Sequence, residues 1–329
     1  MGRWILLALL LTAPLSAAWN RQGHMLTGII AYQRMPEASR RFIADRLRRH
    51  RRFDEDFRAL MPASIAAGEQ DLWIFAHAAT WPDMVRDFGH LHDEATRDVL
   101  VAAYHRSRWH FVNLPVFLGE YEAQQLLPVP ANITMAWTPG QDLADLNAIQ
   151  ALKRAVHMQH GGMVPEEKAV LMTWIFHLVG DIHQPLHAAA LFTTGAFPTG
   201  DAGGGRLTVD GSNLHALWDD AVAAGATWYY MQQRAEELIA EYGDAGTEAA
   251  TNLDFEDWLL ESHELARSVA YSFQIRSTVQ SFNERPRDAI PVRVGEDYIR
   301  RMREVSRRRL TEAGYRLGAW LNFFASQRD

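Results

Sequence analysis

The sequence predicts a mainly α-helical, single-domain protein with one small β-hairpin, and three observations lead there. Apolar residues recur at i, i+3 and i+4 through most of the 329-residue chain, the spacing that lines one face of a helix. Strand signals are confined to RLTV, which runs into Asp210-Gly211, a pair suited to a tight hairpin turn. No repeat, low-complexity tract or Pro/Ser-rich linker divides the chain.

Taken in order, the chain opens MGRWILLALLLTAPLSAAW: one cationic residue, Arg3, an apolar run from Trp4 to Leu11, then the small residues Ser16, Ala17 and Ala18. This reads as a secretory signal over residues 1–18, too short to act as a stop-transfer helix. Its removal leaves Trp19 as the N-terminus of a domain spanning 19–329. Helical spacing follows in GHMLTGIIAYQRM, ASRRFIADRLRRH and LNAIQALKRAVHM. Pro165 and the acids behind it start a further helix, PEEKAVLMTWIFHLVGDIHQ. After the hairpin come NLHALWDDAVAAG, WYYMQQRAEELIAEY, DFEDWLLESHELARSVAY and EDYIRRMREVSRRRLTEAGYRLGAWLNFFASQ, all helical in period. The basic runs Arg46–Arg52 and Arg300–Arg309 are expected to be solvated helix faces paired with nearby acids. No later apolar run is long enough for a membrane helix, so the expectation is an exported protein, periplasmic or secreted, with no membrane anchor and no obligate protein partner.

The chain contains no cysteine, so it uses no disulfide and has no thiolate ligands. Imidazole and carboxylate remain as metal donors. The formal charge of −7 argues against broad adhesion to nucleic acid or anionic lipid, although a metal cluster supplies positive charge locally.

The segment HLVGDIHQPLH is dense in such donors. If the run before it is helical, His177 and Asp181 stand one turn apart on one face, and Pro185 breaks the helix and re-aims His187. NLHALWD repeats the i, i+4 pair with His215 and Asp219. Three further segments offer donors: WNRQGH, where a free amine and carbonyl on Trp19 can chelate and His24 follows; TWPDMVRD, with Asp83 and Arg86; and RWHFVN, with His110. A lone histidine is usually a core or surface residue. His77, His90, His92, His105, His157, His160, His183 and His263 are read that way. His183 points off the His177–Asp181 face and is at most a partner to a ligand.

Together, the Trp19 terminus, WPD, WHF, HLVGDIHQPLH and SNLHALWD closely resemble the S1/P1 nuclease family of secreted trinuclear zinc phosphoesterases, and LLESHELARSVAY and AGYRLGAWLN resemble its C-terminal helices. The resemblance implies a helical phospholipase C/P1 nuclease-like fold. It implies three zinc ions: one held by Asp83, His110, His177 and Asp181; a second by bridging Asp181, His24 and the amine and carbonyl of Trp19; a third by His187, His215 and Asp219. It implies that Asp83 also orients the nucleophile, that Arg86 stabilises the reacting phosphate, that Phe111 stacks a base and that Asn113 binds the base edge. The implied activity is hydrolysis of single-stranded DNA and RNA to 5′-phosphate products, with removal of phosphate from 3′-nucleotides.

Two positions depart from the family pattern. DAGGGRL carries Gly203, Gly204 and Gly205 where Gly-Gly-Asn is usual, and Pro82 precedes Asp83 where Ala or an aromatic is common. The absence of cysteine departs from disulfide-bearing fungal and plant members and fits a bacterial exported one. Two other readings stay open on sequence: a zinc phospholipase C on the same scaffold, and a secreted zinc-binding protein without catalysis.

Overall fold

The computed structural model describes residues 19–86, 93–222 and 227–327. The signal segment expected over 1–18, together with His90 and His92, lies outside the described residues.

The predicted helical period is realised along the chain. Helix α1 (Arg21–Arg34) is capped by the Asn20 side chain, which accepts from Gly23 N–H. It packs against α3 (Gln70–Ala78), α10 (Trp228–Ala249) and the long C-terminal α13 (Glu296–Ser326). Helix α2 (Glu37–Leu47) lies against α3, α13 and α8 (Pro165–Asp181). Helix α7 (Ala148–His160) opens with a capping box made by Asn147 and Gln150 and lies along α8. Helix α8 starts as its sequence dictates, with Pro165 in the first turn and Glu166 and Glu167 at the positive end of the helix dipole. From Ala169 to Asp181 it is buried on all sides.

The shorter helices are α4 (Trp81–Arg86), α5 (Glu94–Tyr104), α6 (Glu120–Leu126), α9 (Leu214–Asp219), α11 (Phe255–Leu265) and α12 (Phe273–Ser281). Among all these helices, α3 to α6 and α12 were not anticipated. In α3 the reason is physical: Leu72 to Ala78 are buried all round, so no polar face marks a period. Several expected helices end early: α2 stops at Leu47, before the end of ASRRFIADRLRRH, and α11 at Leu265, where a π-helical turn Ala266–Ala270 takes over. Helix α8 stops at Asp181 rather than Gln184, because the residue before Pro185 is disfavoured in the α region. Helix α9 stops at Asp219.

The hairpin forms where expected. Strand β3 (Leu207–Val209) pairs antiparallel with β4 (Ser212–Asn213), and Asp210 and Gly211 turn with φ of 42° and 84°. Strand β5 (Ile290–Pro291) adds to β3 in parallel. A second small sheet, β1 (Leu114–Phe117) parallel to β2 (Ala189–Phe192), was not expected, and it positions the site. One apolar cluster fills the space between α2, α3, α7 and α8, and another lies between β1, β2, β3 and β5 and helices α9, α12 and α13.

The basic runs pair with nearby acids as expected. Arg48 pairs with Asp45 and Asp71, Arg52 with Asp56, Arg300 with Asp297 and Arg301 with Glu304. Not all of them are solvated: Arg309 is buried, donating to Glu261, Glu312, Trp258 O and Ser262 where α13 packs on α11. No helix among the described residues is long and apolar enough to cross a membrane.

Candidate metal centre

The parallel β1–β2 pair determines what meets at the site. His110 and His187 each precede one of these strands. Val112 N–H donates to His187 O at 2.8 Å, and His187 Nδ1 lies 2.6 Å from His110 O. The two histidines are therefore stitched side by side although 77 residues apart in sequence.

Helix α8 brings the next two residues. His177 Nε2 lies 3.3 Å from Asp181 Oδ2, as the one-turn spacing predicts. His110 Nδ1 reaches the same oxygen at 3.1 Å, and His24 Nε2 of α1 lies 3.3 Å from the other, Oδ1. Asp181 thus stands between two sets of donors. Asp83 Oδ1 lies 3.8 Å from His177 Nε2 and 3.9 Å from His110 Nδ1. On α9, His215 Nε2 lies 3.6 Å from Asp219 Oδ2, and His187 Nε2 is 4.0 Å from Asp219 Oδ1.

Three groups of converging donor atoms result: His24, Asp83 and His177; His110, His177 and Asp181; His187, His215 and Asp219. Trp19 is fully buried beside them. Its indole N–H donates to Gly180 O at 3.0 Å, and Asn20 N–H donates to Asp219 O at 3.2 Å. The glycine before Asp181 is required by this packing, since a Cβ on Gly180 would lie 2.8 Å from His24 Nδ1.

Whether these residues suit a cation is decided by their protons. His187 Nδ1 faces His110 O at 2.6 Å and His215 Nδ1 faces Gly203 O at 2.7 Å. A carbonyl only accepts, so both Nδ1 atoms carry the proton and both Nε2 atoms present lone pairs. Those lone pairs face each other at 2.9 Å. Two acceptors converging without a proton repel, and a divalent cation satisfies both. His177 shows the same logic: Nδ1 faces Ala79 O at 2.7 Å, while Nε2 is 2.9 Å from His110 Nδ1. Apart from the 3.3 Å approach of His24 Nε2 to Asp181 Oδ1, neither ring nitrogen of His24, nor Asp181 Oδ1, has a hydrogen-bond partner among the described residues. Neutral imidazoles with fixed tautomers and buried carboxylates are the donor set zinc prefers.

The electrostatics agree. Burial, aided by His177, pushes His24 down to about 4, and burial with His187 pushes His215 down to about 3, so both stay neutral at pH 7. Against the pull of burial, Asp181 and Asp83 hold His177 up to about 9, so without a metal a proton occupies it. Against burial, His177 and His110 hold Asp83 below the usual carboxylate range. Burial pushes Asp219 well above that range, a sign a neighbouring cation reverses.

The S1/P1 Nuclease family model matches residues 19–326. The chain belongs to the S1/P1 nuclease family. It is similar along its length to Nuclease S1 of Aspergillus oryzae, at 23% identity over 329 residues, covering 97% of this chain and 96% of that one. Endonuclease 4 and Endonuclease 5 of Arabidopsis thaliana are 30% and 27% identical over stretches of 162 and 156 residues, each 46% of this chain and 49% of the relative. As an S1/P1 nuclease, the protein is a hydrolase of phosphodiester bonds from a zinc-dependent family.

Around the centre of this S1/P1 nuclease, Arg86 is half-buried at the end of α4, one turn beyond Asp83 and on its side of the helix. Pro82 is buried as the second residue of that helix, where its missing N–H costs nothing. Phe111 and Asn113 are half-buried in extended chain after His110, where alternate residues share a side. His183 turns away, as expected: its Nδ1 donates to Val179 O and its Nε2 accepts from Arg316.

Sequence reasoning missed Asp201. Its fully buried carboxylate accepts from Leu191 N–H, Gly204 N–H and the Tyr271 hydroxyl. It thereby holds a run with positive φ at Ala202, Gly203 and Gly204. That run presents the Gly203 carbonyl to His215, and a Cβ on Gly203 would lie 2.5 Å from Leu186 O. The Gly-rich loop therefore orients a histidine of the centre, a role for which spacing in the sequence gives no signal.

Proposed function

We propose that the protein is an exported, zinc-dependent endonuclease that hydrolyses single-stranded DNA and RNA to 5′-phosphate products and removes phosphate from 3′-nucleotides. Residues 1–18 are its export signal, and one domain follows from Trp19. The observation that carries the reading is the facing pair of Nε2 lone pairs on His187 and His215, with both protons committed to backbone carbonyls.

Three zinc ions are assigned to the chain. Asp83, His110, His177 and Asp181 hold one; Asp181, His24 and the amine and carbonyl of a processed Trp19 hold the second; His187, His215 and Asp219 hold the third. When bound, zinc supplies the Lewis acidity that activates water and neutralises phosphate charge. Asp83, whose side chain is 15% exposed where Asp181 is fully buried, faces the open side and accepts a hydrogen bond from the attacking water. Arg86 donates to the phosphate as charge builds on it. Phe111 stacks on a base and Asn113 binds its edge, which favours single strands because a base inside a duplex has no free face.

The test is digestion of single-stranded DNA, RNA, duplex DNA, a 3′-mononucleotide and phosphatidylcholine vesicles in one zinc-containing buffer. Cleavage of both single-stranded substrates to 5′-phosphate ends, with phosphate released from the mononucleotide, is expected. Lipid hydrolysis alone would assign the scaffold to a phospholipase C, and zinc binding without any hydrolysis would leave a binding protein.

A further inference from the structure

Gln184 is buried to 0% exposure within the segment that supplies His177, Asp181 and His187, and it is no candidate ligand itself. Its backbone N–H donates to Asp181 O at 2.9 Å, and its carbonyl accepts from His187 N–H at 3.0 Å. Its side chain caps the short 3₁₀ turn Pro185–His187: Oε1 accepts from Leu186 N–H at 2.5 Å. That contact fixes which way the amide lies, because a backbone N–H can only donate and must face the oxygen. The NH₂ group is thereby committed to the other side, where Nε2 donates to Asp219 Oδ1 at 2.7 Å. One side chain thus holds both the turn that aims His187 and the carboxylate of Asp219.

We infer that Gln184 is a positioning residue for the His187–His215–Asp219 group. By engaging Oδ1 it leaves Asp219 Oδ2 toward His215 Nε2, and by capping the turn it keeps His187 Nε2 against His215 Nε2. Partners of this kind change metal affinity by roughly ten- to hundred-fold when lost. The inference rests on the reading of that group as a zinc site. It adds that loading of this ion, and not of the pair around Asp181, is controlled by a neutral amide.

Two variants separate this role from a structural one. Gln184→Glu keeps the acceptor for Leu186 N–H but sets a carboxylate against Asp219. Gln184→Met keeps the volume and removes both polar groups. Zinc per chain is measured by native mass spectrometry in a buffer whose free zinc just saturates the wild type, with far-UV circular dichroism as the check on folding. Both variants are expected to stay folded and hold about two ions where the wild type holds about three, with the third restored at roughly ten- to hundred-fold higher free zinc. Nuclease activity should return with it. Full loading of either variant at the wild-type zinc concentration would overturn the inference. So would loss of all ions together, or of the fold in both variants, since either makes Gln184 a general structural residue. A wild type that holds three ions yet leaves nucleic acid intact would instead contradict the proposed activity and leave the role of Gln184 standing.

Discussion

Asp181 is the residue on which most of the centre turns. One carboxylate oxygen faces His110 and His177 and the other faces His24, so Asp181→Asn should disturb two ligand groups at once. Zinc content of that variant is expected to fall by more than one ion, with activity lost; loss of one ion or none would contradict a bridging role. Arg86 lies beyond the donor groups, and Arg86→Ala should keep full zinc content while lowering the rate on the order of 10²–10³-fold. Metal analysis beside kinetics checks it, and zinc loss in Arg86→Ala would withdraw its assigned role. At this scale the i, i+4 pairs were legible because helical spacing alone sets both heads on one side. Gln184 and Asp201 were not, because their meaning depends on a 3₁₀ turn and a left-handed run that spacing does not encode.

Elements carry the precision of the site. The end of α8, the capped turn after it and the start of β2 place His177, Asp181 and His187 within a few residues, and the β1–β2 pairing brings His110 alongside. The fold class and the hairpin could be read from period and turn residues. The parallel pair could not: four-residue strands such as LPVF and AALF, apolar at every position, show no alternation to read. Close packing of α1 on α8 gives a sharp prediction. Gly180→Ala drives a methyl against the His24 ring, and a loss of about 1–3 kcal/mol is expected in denaturant unfolding of the metal-free protein. An unchanged midpoint would show that α1 yields without cost. Trp19 and Asn20 are tied to Gly180 and Asp219, and with the Trp19 amine proposed as a ligand, a chain keeping even one residue ahead of Trp19 is expected to lose zinc and activity. Full zinc loading in such a chain would remove the Trp19 amine from the centre.

Over the whole molecule, buried histidines set how stability responds to pH. His24, His50, His77 and His215 are held at about 4, 3, 3 and 3, chiefly by burial. Their folded pKa lies below the unfolded value of about 6.5, so the unfolded chain takes up protons first and stability falls as pH drops from there toward 4. Asp201, pushed up to about 6 by burial, and Asp219 act in the opposite direction but are outnumbered. His177, held up to about 9, contributes stability that is complete below about 6.5 and lost as pH rises through 9. The metal-free protein should therefore melt highest near pH 6.5. Zinc should raise that maximum and flatten the alkaline side, since the cation takes the place of the His177 proton. Melting temperatures from pH 4.5 to 9.5, with zinc and with chelator, check both points. A metal-free curve that climbs steadily to pH 9 would contradict the balance of charges described for the centre.

The central claim is that this chain carries a three-zinc nuclease centre, and its most direct test is a zinc titration of metal-free protein beginning at Trp19, followed by cleavage of single-stranded DNA. Activity is predicted to appear with zinc and level off at about three equivalents per chain. A plateau at one equivalent, or full zinc loading with the DNA untouched, would contradict it.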